Sequence, residues 1–307
     1  MTLPNPKIID LSHWNAPSDL NKPAIQDWSK AKEQGVVGAI IRLGSIDNVT
    51  GVPYTDWRLD EFVRGAISAN IPIGYYWYTR PKWGGGVQVQ YILKILKEKN
   101  LPLDLDFYID VEEPGADVNG PGSAPYQARD AIKYMVQQLS SVYPGRVGIY
   151  TRQNLWDIYV AKDPLWATLK LWAARWKESL TSPWSDGYNI FRDWIDWKYW
   201  QYIADGNGLA STYGFPSGDV DIDLSYYNGT TEEFEAEYNL DPLQDLARRV
   251  ATLELENSQQ FAMLTALREE NTELSGKIYP LQAQVDLILE NLLTLESWAN
   301  KTLIFKW

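Results

Sequence analysis

The sequence predicts an α/β protein in two parts, a β/α barrel over residues 1–238 and an α-helical coiled-coil segment over residues 239–307. Three observations carry this. Short β-type runs alternate with amphipathic helical patterns over roughly the first 230 residues, as strands joined by crossover helices do. Eight such runs can be counted, which favours a closed barrel with a parallel core over an open doubly wound sheet. From about residue 241 the apolar period changes to seven.

The strands are expected at 7–11, 36–43, 71–78, 106–112, 146–151, 169–176, 198–203 and 220–226, each rich in β-branched or aromatic residues. Helices are expected at 28–34, 59–70, 88–99 and 124–142, where apolar residues recur on a helical face. No G-x-G-x-x-G or Walker pattern is present, which removes support for nucleotide binding.

In the second part, Leu243, Val250, Asn257, Leu264, Asn271, Ile278, Val285 and Leu292 fall every seven residues, as a positions. Leu246, Leu253, Gln260, Leu267, Leu274, Leu281, Ile288 and Leu295 follow as d positions. Asn257 and Asn271 at a positions favour a parallel dimer, so a homo-oligomer through residues 241–299 is expected. Gly276 and Pro280 interrupt the repeat, and the alternative is a helical hairpin with a break at 275–280.

Composition narrows the chemistry. The 307 residues contain no Cys and one His, His13, so thiol chemistry and multi-His metal sites are excluded, and acid–base work must rest on carboxylates. A net charge of −12 argues against nucleic acid as a partner. No apolar run of membrane-spanning length is present, so no membrane span is expected. No export signal opens the chain, which is therefore expected to be made in the cytoplasm. Fifteen Trp and nineteen Tyr supply flat faces that fill a core or stack on sugar rings.

The stretch Phe107-Tyr108-Ile109-Asp110-Val111-Glu112-Glu113 delivers three carboxylates to the end of a hydrophobic strand. Strand alternation puts Asp110 and Glu112 on one face, the barrel lumen, at the end where barrel active sites lie; Glu113 is assigned to solvent. Asp10 ends the first strand, and Asp221 and Asp223 lie in the last. Converging carboxylates raise the pKa of at least one member, and an acid beside an ionised partner is what glycosidic cleavage requires. A divalent-cation site, or simple capping of strand ends, is the competing reading.

At these residues the sequence resembles the family 25 glycoside hydrolases, the Chalaropsis-type lysozymes. "IIDLSHWN", "YTDWRLDEFVRGAISANIPIGYYWY", "FYIDVE" and "YWQY…GDVDIDLSYYNG" match that family's landmarks in order, over about residues 7–229. The resemblance implies an irregular, TIM-like β/α barrel and β-1,4-N-acetylmuramidase activity on bacterial peptidoglycan, with no cofactor and no metal. It implies Glu112 as general acid, Asp110 as its assistant, and Asp10 and Asp223 completing the cluster, with Asp221 competing for the last place. Asp221, His13, Arg42, Tyr76, Tyr78, Trp176, Trp200 and Tyr202 are the expected substrate-binding residues. The family's acidic residue after the Arg42 strand is absent, since Arg42 is followed by Leu43-Gly44-Ser45-Ile46. The missing export signal fits a phage lysin released onto the wall, or an enzyme carried in a virion. The other reading is a non-catalytic glycan-binding or virion assembly protein on the same barrel.

Overall fold

A computed structural model of the chain describes residues 5–19, 21–25, 27–112, 124–187, 191–206, 208–216, 220–238 and 242–304. Glu113 lies outside them. The chain divides into two compact units, Met1–Asp241 and Pro242–Trp307.

The first unit runs β1 (Lys7–Leu11), α1 (Trp28–Glu33), β2 (Val36–Ile46), β3 (Pro53–Thr55), α2 (Leu59–Ser68), β4 (Ile73–Tyr78), α3 (Gly85–Glu98) and β5 (Phe107–Val111). It continues with α4 (Pro125–Val142), β6 (Val147–Thr151), α5 (Gln153–Tyr159), β7 (Lys170–Ala174), β8 (Tyr199–Ile203), β9 (Asp223–Tyr227) and α6 (Thr231–Glu237). Hydrogen bonding follows β1-β2-β4-β5-β6-β7-β8-β9 and returns to β1, so eight strands close a barrel. The short β3 pairs antiparallel with the end of β2. It is too brief, and too proline-bound, to have been visible in the sequence.

One expectation needs correcting. The core is not wholly parallel, because β9 runs antiparallel to both β8 and β1. Among its described residues the β8–β9 connection carries only the one-turn helix Ala210–Tyr213, not a crossover helix that would return the chain to the start of a parallel strand. Asp223 therefore reaches the active end of the barrel as the first residue of its strand, whereas Asp10 and Asp110 reach it near the ends of theirs.

Alternate residues of each strand fill the lumen. Ile8, Ile40, Leu105, Tyr108, Tyr150, Trp172, Tyr199 and Tyr227 form an inner cluster that Phe234 and Tyr238, on and just after α6, join. Glycines make the room. Gly38 faces Leu105, Ile8 and Phe234, and Gly148 faces the ring of Tyr108. A methyl at position 148 would overlap that ring and lie 2.9 Å from the Lys170 carbonyl oxygen. Gly148→Ala is expected to cost about 1–3 kcal/mol by overpacking, read as a lowered urea midpoint at constant m.

Buried polar groups fasten this end of the barrel. Asp106, fully buried, takes hydrogen bonds from Lys170 Nζ at 2.7 Å and from the Tyr238 hydroxyl at 2.6 Å. The helices pack on the barrel's outside by the usual spacing: α2 buries Leu59, Phe62, Val63 and Ala66. α2 and α3 are both followed by an asparagine in the left-handed region, Asn70 and Asn100, which ends the helix.

The second unit is α7 (Pro242–Ile304), a single helix of 63 residues. The helix continues through 275–280, where the alternative reading placed a break, and includes Pro280. Proline removes one hydrogen bond and crowds the carbonyl four residues earlier. That residue is Gly276, around which an added methyl would meet nothing within 4 Å, so the turn can relax. Among the described side chains, Leu264, Leu267, Leu274, Ile278, Leu281, Val285, Ile288, Leu292 and Leu295 are all exposed. Leu243, Leu246 and Leu253 have side chains outside the described set.

Candidate active site

At the end of the barrel where β5 finishes, the lumen opens into a cleft of about 310 Å³. Asp10, Asp110, Glu112 and Asp223 all line it, brought together from β1, β5 and β9. Asp10 and Asp223 are directly opposite in the β1–β9 ladder, and Asp110 stands beside Tyr150 in the β5–β6 ladder. Arg42, Tyr76, Tyr78 and Trp176 also face the cleft, as expected from the sequence.

The acids are individually held. Asp10 is buried and accepts a hydrogen bond from Gln201 Nε2 at 2.9 Å. Its other oxygen, Oδ2, is also buried and meets no donor among the described residues. Asp223 accepts from the Asp205 backbone N–H at 3.0 Å and from Asn15 Nδ2 at 3.1 Å. Asp205 adopts a left-handed backbone (φ 55°) to deliver that N–H.

Burial, with the negative charges of Asp223 and Glu112 nearby, pushes the Asp10 carboxyl well above the usual range, against the hydrogen bond from Gln201. Burial likewise lifts Asp223 to about 6, although its two hydrogen bonds pull the other way. Burial is thus the leading cause at both residues, and crowding by the other cleft carboxylates adds to it at Asp10. It favours the protonated form of the carboxyl at Asp10 and Asp223, and a carboxylic acid in such a cleft suits proton transfer to a leaving oxygen.

Arg42 is the cation among the cleft-lining residues. Its Nη2 donates to the Tyr54 hydroxyl at 3.0 Å, and its guanidinium lies over the Tyr78 ring, 5.3 Å from the centroid. Burial opposes its charge, but Tyr76, Tyr54, Asp56 and Asp110 more than offset this and raise its pKa.

Four expected binding residues lie elsewhere. Trp200 and Tyr202 point outward into the packing between strands and helices: Trp200 Nε1 donates to the Arg175 carbonyl, and Tyr202 stacks on Tyr226 at 4.0 Å. Alternation explains this, because it is the residue between them, Gln201, that faces the lumen. Asp221 precedes β9, and its backbone carbonyl accepts from Asn15 Nδ2 at 3.1 Å. The His13 ring does not line the cleft itself but sits between Trp14 and Trp57, bonded to Asp56.

Sequence reasoning missed Tyr150, Trp172 and Gln201. Tyr150 and Trp176 both donate to Gln201 Oε1 at 2.7 Å, and Gln201 passes the network on to Asp10. Trp172 forms part of the floor, its Nε1 donating to Ser225 Oγ at 2.9 Å. The signal for Gln201 was its parity with the buried aromatics on either side. No group of His, Cys, Asp and Glu among the described residues is arranged to hold a metal ion, and no described helix is long and apolar enough to cross a membrane.

Comparison with known proteins places this geometry. The model of the glycosyl hydrolases family 25 matches residues 9–209. A family 25 glycosyl hydrolase from Bacillus anthracis superposes with a TM-score of 0.57 at 20% identity, over 77% of this chain and 94% of that one. The bacterial lysozyme from Streptomyces coelicolor gives a TM-score of 0.56 at 22% identity, over 76% and 96% of the two chains. The modular autolysin LytC from Streptococcus pneumoniae gives 0.54 at 22% identity over 72% of this chain, which spans only 46% of LytC. No curated protein sequence matches the chain significantly. With the match covering 9–209 and the carboxylates gathered at the mouth of a closed barrel, the chain belongs to glycosyl hydrolase family 25.

Proposed function

We propose that the chain is an N-acetylmuramidase that cleaves the β-1,4 bond following N-acetylmuramic acid in bacterial peptidoglycan. The observation that carries this is the convergence of Asp10, Asp110, Glu112 and Asp223 on one cleft of a family 25 barrel. Glu112 donates its proton to the glycosidic oxygen as the C1–O bond breaks. Asp110, two residues earlier on the same face, faces the positive charge that develops at C1. Water then adds at C1, and the Glu112 carboxylate takes its proton. Asp10 and Asp223 complete the acidic wall, Arg42 offsets part of its charge, and Tyr76, Tyr78 and Trp176 offer ring faces to the sugars.

The test is digestion of purified peptidoglycan followed by borohydride reduction of the new ends. Reduced muramic acid is the expected product. Reduced glucosamine, or no new ends across several wall types, would overturn the reading.

We further propose that α7 joins copies of the chain. A heptad seam whose described apolar side chains are exposed is costly for a helix of this length, and burying it against an identical seam removes that cost. Light scattering on the full chain should give at least twice its 35.1 kDa mass. Leu281→Asp with Ile288→Asp should return it to the single-chain value; a wild-type monomer would sink the idea.

A further inference from the structure

Beside the cleft two tryptophans stand in solvent, Trp14 at 75% and Trp57 at 60% exposure. They are not scattered surface rings. Trp14 lines the cleft that holds the acids. His13 packs against both, with ring centroids 4.7 Å from Trp14 and 3.5 Å from Trp57. The three rings thus make one continuous aromatic step leading outward from the cleft.

The base beneath this step is rigid. Asp56, almost fully buried, accepts from His13 Nδ1 at 2.7 Å, from the His13 backbone N–H at 3.1 Å and from the Arg58 backbone N–H at 2.9 Å. Arg58, also buried, donates to the carbonyls of Pro17, Asp19 and Lys22 and to Glu61, which pins the loop carrying Trp57. On the other side, Ser12 caps the turn His13–Asn15, whose last residue holds Asp223. Large apolar faces held in water by buried, hydrogen-bonded polar groups are preorganised for a ligand. Continuity with the cleft names its class, because whatever crosses the acids continues onto Trp14.

We propose that Trp14, His13 and Trp57 form an outer saccharide subsite that takes the pyranose rings of the glycan strand beyond those spanning the cleaved bond. The C–H faces of successive β-1,4-linked N-acetylhexosamines stack on the two indoles. His13 serves as the spacer that keeps them in line. The enzyme consequently favours long chains over short ones. This inference rests on the glycosidase reading of the cleft.

The experiment is a fluorescence titration of Glu112→Gln protein with β-1,4-linked N-acetylglucosamine oligomers, dimer and hexamer, alone and combined with Trp57→Ala or Trp57→Phe. Trp57→Ala should cut the preference for hexamer over dimer by about tenfold, in keeping with truncation of an aromatic anchor, and Trp57→Phe should restore most of it. An unchanged preference in Trp57→Ala, or a hexamer that binds no better than the dimer in the parent, would overturn the subsite. Wild-type protein that keeps the length preference but releases no sugar ends would instead sink the muramidase reading and leave the subsite standing.

Discussion

Glu112→Gln should lower the release of reducing ends from peptidoglycan by about 10³–10⁴-fold, the range general acid catalysis supplies for a poor leaving group. The effect should fall on kcat, with KM little changed, because the amide keeps the shape of the side chain and its capacity to contact substrate. What it loses is an acidic proton. Glu112 immediately follows β5, at the cleft, and the change adds no volume there. The measurement is steady-state kinetics on soluble wall fragments. Activity within tenfold of wild type would remove Glu112 from the role. The proton would then have to come from Asp10 or Asp223, whose pKa values are the ones burial raises.

Asp223→Asn should make the barrel more stable at neutral pH while impairing catalysis. The unfolded-state carboxyl titrates near 3.8 and the folded one near 6, so the folded chain binds the extra proton between those values. Stability contributed at low pH is therefore lost as pH rises through that window, and the loss is on the order of 3 kcal/mol for a displacement of this size. Asn cannot titrate and escapes that loss. Asp10 is raised chiefly by burial and in part by the Asp223 charge, so in the variant its own contribution shrinks in the same direction. Urea midpoints at pH 4 and pH 7 provide the check. Wild type should weaken between the two pH values by more than the variant does; parallel behaviour would show that the Asp223 carboxyl is not destabilised by the fold. The trade is the one expected of active sites, where groups are held in states the rest of the molecule would not choose.

The barrel strands were legible because each is a run of β-branched and aromatic residues, and the alternation within Phe107–Val111 correctly set Asp110 in the lumen. Direction was not legible. Hydrophobic period reads the same forwards and backwards, so nothing in the residues of Asp223–Tyr227 announces an antiparallel strand. The helices Gln153–Tyr159 and Thr231–Glu237 were missed because seven residues make fewer than two full turns of pattern. Trp200 and Tyr202 were misassigned by residue type against parity: an aromatic suits a sugar, yet Gln201 between them holds the inward position. Tyr150 went unmarked for the opposite reason. Its strand looked like ordinary core, and only the register Asp110↔Tyr150 shows that its hydroxyl end sits among the acids.

The reversed final strand has a consequence for when the acidic cleft comes into being. β9 is held between the first strand and the eighth, so its pairing is also the act that shuts the barrel. The bonds that set the acids in place span nearly the whole domain: Gln201 to Asp10 across 191 residues, and Asn15 to Asp223 across 208. Contacts of such high order form late, after the loops they close have already been ordered. A chain still emerging from the ribosome, or trapped with its sheet open, has Asp10 and Asp110 but no opposing Asp223. The four-carboxylate cleft is thus assembled only with closure, as a whole rather than piece by piece.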